Sequence, residues 1–192
     1  MNEAQELSKE TSGQAERRRL VRLLAFFLPL AVIVVGLPLA VGIVRARRQA
    51  AEDRIVRQLK AYCQAQYAFH RESRTGSGKL DYVRDYRTLV GFQDAPEDSR
   101  KLLDAAFAAA RGPDGAPKHG YLYREMRSIM GLPINWQGDF AICAIPAKYG
   151  ETGRKTFIMK TDGDVWSRDP GKAEFLEDFP SDPAKAGWQT AR

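Results

Sequence analysis

The sequence predicts an α+β protein in which a long N-terminal membrane-spanning helix continues into a domain built on an antiparallel sheet. Three observations carry that reading. Leu23–Val44 is a run of 22 residues without a charge. Residues 45–74 repeat apolar side chains at steps of three and four. After residue 119 the pattern shortens to strand-like runs divided by Gly, Pro and Asp turns. Helices first and strands later is the order of an α+β domain rather than of alternating βαβ units.

As a helix the uncharged run would reach about 33 Å at about 1.5 Å per residue, against roughly 30 Å of bilayer hydrocarbon. Arg17, Arg18, Arg19 and Arg22 precede it, and Arg45, Arg47 and Arg48 follow. Pro29 and Pro38 would break a soluble helix but are tolerated in a spanning one. A core helix of a soluble protein would show a polar face, and this run has none. Residues 1–22 read as a polar cytoplasmic tail and 23–44 as the span. Within about 20 residues of its ends there are five Lys/Arg before it and six after it, so the positive-inside rule returns a near tie.

Residues 45–74 predict a helix continuing from the span. Ile55, Val56, Leu59, Tyr62, Cys63, Tyr67, Phe69 and His70 lie on one stripe, and Arg54, Arg57, Lys60, Gln64 and Arg71 on the other. Thr75-Gly76-Ser77-Gly78 ends it. The α+β domain is expected over 75–169. Residues 81–92 read as a short helix or turn with Tyr82, Tyr86, Leu89 and Val90 on the core. Ala95-Pro96-Glu97-Asp98 reads as a helix start, with Leu102, Leu103, Ala106, Phe107 and Ala110 as the apolar face. Strands are expected at 120–127, at 139–145 (apolar on both faces) and at 155–160 with 165–167, a hairpin joined by Asp162-Gly163. Residues 128–137 read as loop. Residues 170–192 read as a polar C-terminal tail with Phe175, Leu176, Phe179 and Trp188 as docking points.

Composition excludes several classes of protein. At 192 residues the chain fits one domain plus accessory segments. The net charge of +6 is concentrated in residues 1–50, with eight Lys/Arg against four Asp/Glu. The remainder carries 22 against 20, so nothing argues for a nucleic-acid partner. Two cysteines are too few for a disulfide scaffold and too far apart for a zinc knuckle. No Gly-rich phosphate loop, Ser elbow or HExxH motif occurs. No catalytic residue and no cofactor is therefore expected.

Four segments carry a resemblance: His119-Gly120-Tyr121-Leu122-Tyr123-Arg124, Phe140 to Pro146, Ala147 to Phe157 (AKYGETGRKTF), and Asp162-Gly163-Asp164-Val165-Trp166. Together they resemble a family of bacterial pilin-like envelope proteins of uncharacterised role, with its HGYxF/YR strand, PAxYGxxGxxTF strand-turn-strand and final GxV hairpin. The motifs cover residues 119–169. The anchored helix feeding a sheet is similar to type IV pilins and pseudopilins, which extends the likeness back to residue 45. The resemblance implies a pilin-like domain at the inner membrane of a bacterium, outside the cytoplasm, with the membrane and other envelope or secretion proteins as partners. It implies no chemistry. The chain departs from true prepilins: Arg22-Leu23-Leu24-Ala25-Phe26-Phe27 opens the apolar run without a Gly before it or an acid inside it.

Few residues are candidates for chemistry. Asp162 and Asp164 flank Gly163 and, with Asp169, are the calcium candidates, some pseudopilins holding that ion in a C-terminal loop; the pattern lacks the further acids of a full oxygen cage, so a plain hairpin turn is the preferred reading. Cys63 on the helix stripe and Cys143 in the central strand are expected to face one core, either bridged or as two buried thiols. His70 and His119 lack ligand-spaced neighbours. Tyr62, Tyr67, Tyr121, Tyr123 and Trp166 line either a groove or, more ordinarily, the core. The expected function is that of a single-pass, membrane-anchored, non-enzymatic envelope protein acting through protein contacts. A membrane-tethered ligand-binding module and a pilus or pseudopilus subunit are the alternatives.

Overall fold

The computed structural model describes residues 37–72, 81–91 and 103–191, with side chains from Gln49 onward. The chain divides into two compact units, Met1–Arg47 and Arg48–Arg192. Of the first, the described residues are the opening turns of helix α1, Leu37–Glu72. The second holds the rest of α1, two short helices and two sheets.

The expectation of a membrane-spanning helix running into a pilin-like domain is corrected by this architecture. Among the described residues no helix is long and apolar enough to cross a membrane. The expected span lies outside them except for its last eight positions, 37–44. The physical reason shows in α1 itself. From Ile55 its apolar residues occupy one side only, with Ile55, Leu59, Tyr62, Cys63 and Phe69 buried. Arg54, Arg57, Lys60, Gln64 and Arg71 are exposed on the other. Such a helix is made to cover a sheet, not to sit in lipid.

The larger sheet has five strands in the order β1-β4-β5-β6-β8, every neighbouring pair antiparallel. They are β1 Tyr121–Glu125, β4 Ala141–Pro146, β5 Thr156–Lys160, β6 Val165–Arg168 and β8 Gln189–Thr190. All six residues of β4 are buried, because both faces of this central strand are covered. Alternation sorts the side chains into two clusters. Tyr121, Tyr123, Ile142, Ala144, Phe157, Met159 and Val165 pack with α1. Leu122, Ala141, Cys143, Ile145 and Ile158 pack on the far side with Met126, Phe179 and Trp188.

Two short helices complete the first cluster. Helix α2, Arg87–Gly91, follows residues 81–86, and Tyr82, Tyr86 and Leu89 are buried as expected. Helix α3, Ala105–Ala109, opens at Asp104, whose carboxylate accepts from the Phe107 amide at 2.8 Å. The start expected at Ala95–Asp98 lies outside the described residues. Gln66 of α1 ties this layer together. Its amide donates to the Tyr62 hydroxyl and the Val83 carbonyl and accepts from the Val83 N–H, at 2.7–2.8 Å. A fully buried polar side chain is thereby satisfied as a strand neighbour would be.

The smaller sheet, β3-β2-β7, arises where only loop and tail are expected. It joins β2 Ser128–Ile129 to β3 Leu132–Pro133 as a hairpin, and β7 Asp178–Phe179 pairs with β2 in parallel. Met130 and Gly131 form the hairpin turn with φ of +55° and +76°, the left-handed pair that a two-residue turn matching strand twist requires. The expected tail is built in: Phe179 and Trp188 are buried, and β8 closes the edge of the larger sheet.

Candidate functional site

The two segments richest in the resemblance, 119–124 and 147–157, meet at one place. The loop between β4 and β5 closes on itself: Gly150 N–H donates to the Gly153 carbonyl at 2.8 Å, and Thr152 N–H to the Lys148 carbonyl at 3.0 Å. The closed loop presents Gly153 to β1, and the ring of Tyr121 lies directly over its Cα. A Cβ at Gly153 would come within 2.2 Å of the Tyr121 hydroxyl oxygen. Only glycine allows that approach.

Beside this contact is a cavity of about 180 Å³. Helix α1 contributes Ala51 and Glu52, β1 contributes Tyr121, the β4–β5 loop contributes residues 152–155, and Asp169 comes from just beyond β6. Lys155 Nζ pairs with Glu52 Oε2 at 2.8 Å. Asp169 accepts from the Tyr149 hydroxyl at 2.7 Å and the Gly171 N–H at 3.0 Å, with Arg154 at 3.8 Å. The Tyr149 hydrogen bond, then that of Gly171, holds the Asp169 carboxyl below its ordinary range.

Tyr121 is the unusual member. It is fully buried, and its hydroxyl has no hydrogen-bond partner. Burial, reinforced by the negative charges of Glu52 and Asp169, pushes its pKa up, so the hydroxyl stays protonated and available as a donor. A polar cavity of about 250 Å³ adjoins the first across the Glu52–Lys155 pair and reaches Ser167 and Gln189. An open groove of about 900 Å³ runs along the C-terminal segment between Arg168, Phe175 and Trp188. There guanidinium groups cover the aromatics, Arg168 over Trp188 at 4.7 Å and Arg124 over Phe175 at 4.6 Å.

The residues singled out from the sequence are placed differently. Asp162 turns its carboxylate onto the Asp164 N–H at 3.0 Å and onto Lys160 at 2.5 Å, an Asx turn with a neutralising lysine. Asp164 precedes β6 and Asp169 follows it. Five residue steps at about 3.3 Å each, across the four residues of β6, put them roughly 16 Å apart, so they share no ion. Among the described residues no cluster of three His, Cys, Asp or Glu side chains could hold a metal.

Cys63 and Cys143 are both buried free thiols. The expectation that they face one core is corrected: Cys63 packs with the α1-side cluster and Cys143 with the opposite one, so the sheet lies between them. The parity of β4 decides this, because Ile142 and Ala144 take the helix side and leave Cys143 the other. Burial pushes Cys63 up to about 11 and Cys143 up to about 12, which keeps both protonated and unreactive.

His70 stacks on Tyr82 at 4.3 Å, with Nε2 3.2 Å from the Gln137 carbonyl. His119 is an exposed turn residue with φ +52°. Of the aromatic candidates, Tyr62 and Tyr123 are core and Tyr121 alone lines the first cavity. Tyr67, placed on the buried stripe by its spacing, is exposed, although its hydroxyl donates to the Thr161 carbonyl. Sequence reasoning missed Glu52, Thr152, Gly153 and Lys155. The one signal that could have found them is the repeated glycine of Tyr149-Gly150-Glu151-Thr152-Gly153.

Fold and site together define a small α+β domain, one helix laid across an antiparallel sheet, with a side cavity where helix, first strand and one closed loop converge. The chain belongs to the family described as protein of unknown function DUF2950, whose match runs over residues 40–178 and so takes in α1, the larger sheet up to β6, and the cavity. No curated protein and no solved structure matches it.

Proposed function

We propose that this chain is a non-enzymatic domain of the bacterial envelope that acts by contacting other envelope proteins. The observation that carries the reading is the β2–β3 hairpin. Met130 and Leu132 are 59% and 67% exposed, the most exposed large apolar side chains among the described residues. Met130 is held at φ +55°, a left-handed conformation that costs a non-glycine residue energy. The turn that needs this conformation carries an exposed apolar pair at its tip, which supports a contact surface there.

The ionisable groups support a role without chemistry. A nucleophile or general base needs its pKa drawn toward neutrality. Here burial moves Cys63, Cys143, Tyr62, Tyr86, Tyr121 and Tyr123 the other way. The resemblance of residues 119–169 to bacterial envelope proteins supports a place at the inner membrane, with the domain on the outer side.

The test is photo-cross-linking in cells, with a photoreactive amino acid in place of Leu132 and, as control, in place of the exposed Lys185. A discrete higher-mass adduct from position 132 and none from 185 is expected. An absence of adduct at 132, or the same ladder from both positions, defeats the proposal. A ligand-binding module is the second reading, favoured by the buried, unpartnered Tyr121 hydroxyl at its cavity. Nothing in the geometry favours a filament subunit.

A further inference from the structure

We propose that the Tyr121 cavity binds a small zwitterion the size of a free amino acid. The inference develops the second reading above and is independent of the hairpin contact. Three properties of the cavity select this class of ligand.

The first is an unmet donor. A buried hydroxyl without a partner is costly in a folded protein, and a ligand acceptor removes the cost. Because Tyr121 is held protonated, its natural complement is a carboxylate oxygen. The second property is charge balance. Lys155 and Arg154 stand against Glu52 and Asp169, so the wall is neutral overall but carries both signs. A lone anion would meet two carboxylates, and a lone cation would meet an ammonium and a guanidinium. A molecule bearing one charge of each sign pairs with both sets and leaves nothing uncompensated. Its carboxylate is taken by the Tyr121 hydroxyl with Arg154 and Lys155, and its ammonium by Glu52 and Asp169.

The third property is size. About 180 Å³ is the volume of roughly six liquid waters. That is well below the approximately 300–1,000 Å³ of pockets for larger ligands. The site therefore suits an amino acid and excludes a peptide. Gly153 sets the floor: any side chain there would enter the space held by the Tyr121 hydroxyl.

The test is calorimetric titration of the purified full chain with glycine, L-alanine and L-glutamate. Acetate, methylammonium and glycerol serve as probes bearing one charge or none. Saturable binding of at least one amino acid is expected, with acetate and methylammonium about tenfold weaker or silent, the loss of one charge-assisted contact. Tyr121→Phe keeps the ring and removes only the orphaned hydroxyl, so it should melt no lower than the parent while binding about tenfold more weakly. Arg154→Gln, at an exposed position, provides a second variant with the same expected loss of affinity. The proposal is overturned if no amino acid gives saturable heat, if acetate or methylammonium binds as tightly as the amino acids, or if both variants bind as the parent does.

Discussion

The two faces of the larger sheet are covered in opposite ways. On one side a single long helix supplies a continuous stripe, and the packing under it is aromatic: Tyr62 of the helix, Tyr86, Phe107, Phe140 and Tyr123 meet edge-on or tilted, as Tyr121 does with Phe157, at 4.6–6.2 Å. Aromatic rings bring hydroxyls into the core, so this face needs Gln66 to satisfy Tyr62 and leaves two hydroxyls orphaned, that of Tyr123 and that of Tyr121 beside its cavity. On the other side the layer is mostly aliphatic, with Cys143 in the middle. Its cover is made of two-residue strands and loops carrying Phe179 and Trp188. A regular cover gives a stiff face with specific polar ties, and an irregular one gives a greasy face closed by a few anchors.

The largest effect that would test this contrast is Phe140→Ala. The ring is fully buried and touches Tyr62, Tyr67 and Tyr82 across the helix face. Its loss should cost about 3–5 kcal/mol by urea denaturation, the usual range for a core phenylalanine. A much smaller loss would mean that the helix face can collapse and is not the stiff one.

Next comes Gln66→Leu, which fills the same space and leaves the Val83 N–H and carbonyl and the Tyr62 hydroxyl without their partner. A cost of about 2–4 kcal/mol is expected. A neutral or stabilising result would show that residues 81–86 are held by packing alone. Gly163→Ala is smaller, about 1–2 kcal/mol, because φ is +79° in the β5–β6 turn. The added methyl would sit an ordinary 3.6 Å from Cys63 Sγ, so the loss should come from the backbone and not from a clash. Equilibrium unfolding of the Ala variant beside Gly163→Asn, which tolerates the left-handed region, separates the two causes.

Smallest in global stability is the opening of the irregular face. Trp188→Phe trims the anchor without emptying its site and should raise the alkylation rate of Cys143 by roughly threefold while leaving Cys63 unchanged, since local opening exposes only the thiol beneath the anchor. Mass spectrometry after timed labelling reads both cysteines in one sample. Equal acceleration of the two would erase the distinction between the faces.

Much of this was legible in the chain. Arg54, Arg57, Lys60, Gln64 and Arg71 fall on the exposed side of α1 because helical periodicity is local. The apolar run of β4 and the Asp-Gly turn between β5 and β6 read correctly for the same reason. The smaller sheet was not legible, since two-residue strands carry no period and Met130-Gly131 is not a usual turn pair. The site was hidden further, because Glu52 and Lys155 are 103 residues apart and neither stands out in its own segment. The membrane-spanning architecture is the main correction: a count of uncharged residues establishes greasiness, and among the described residues no helix is long and apolar enough to cross a membrane.

By itself the sequence determined the Asp-Gly turn between β5 and β6, most of the inward face of the long helix, and the central strand with both faces covered. These follow from side-chain polarity at fixed local spacing. Only the tertiary structure decided that Cys63 and Cys143 lie on opposite sides of a sheet, that the C-terminal segment is part of the core, and that a tyrosine, a closed glycine loop and an ion pair from three distant segments enclose a cavity. Those outcomes depend on which strand pairs with which and in what register, and a one-residue slip in β4 would have reversed the side on which Cys143 is buried.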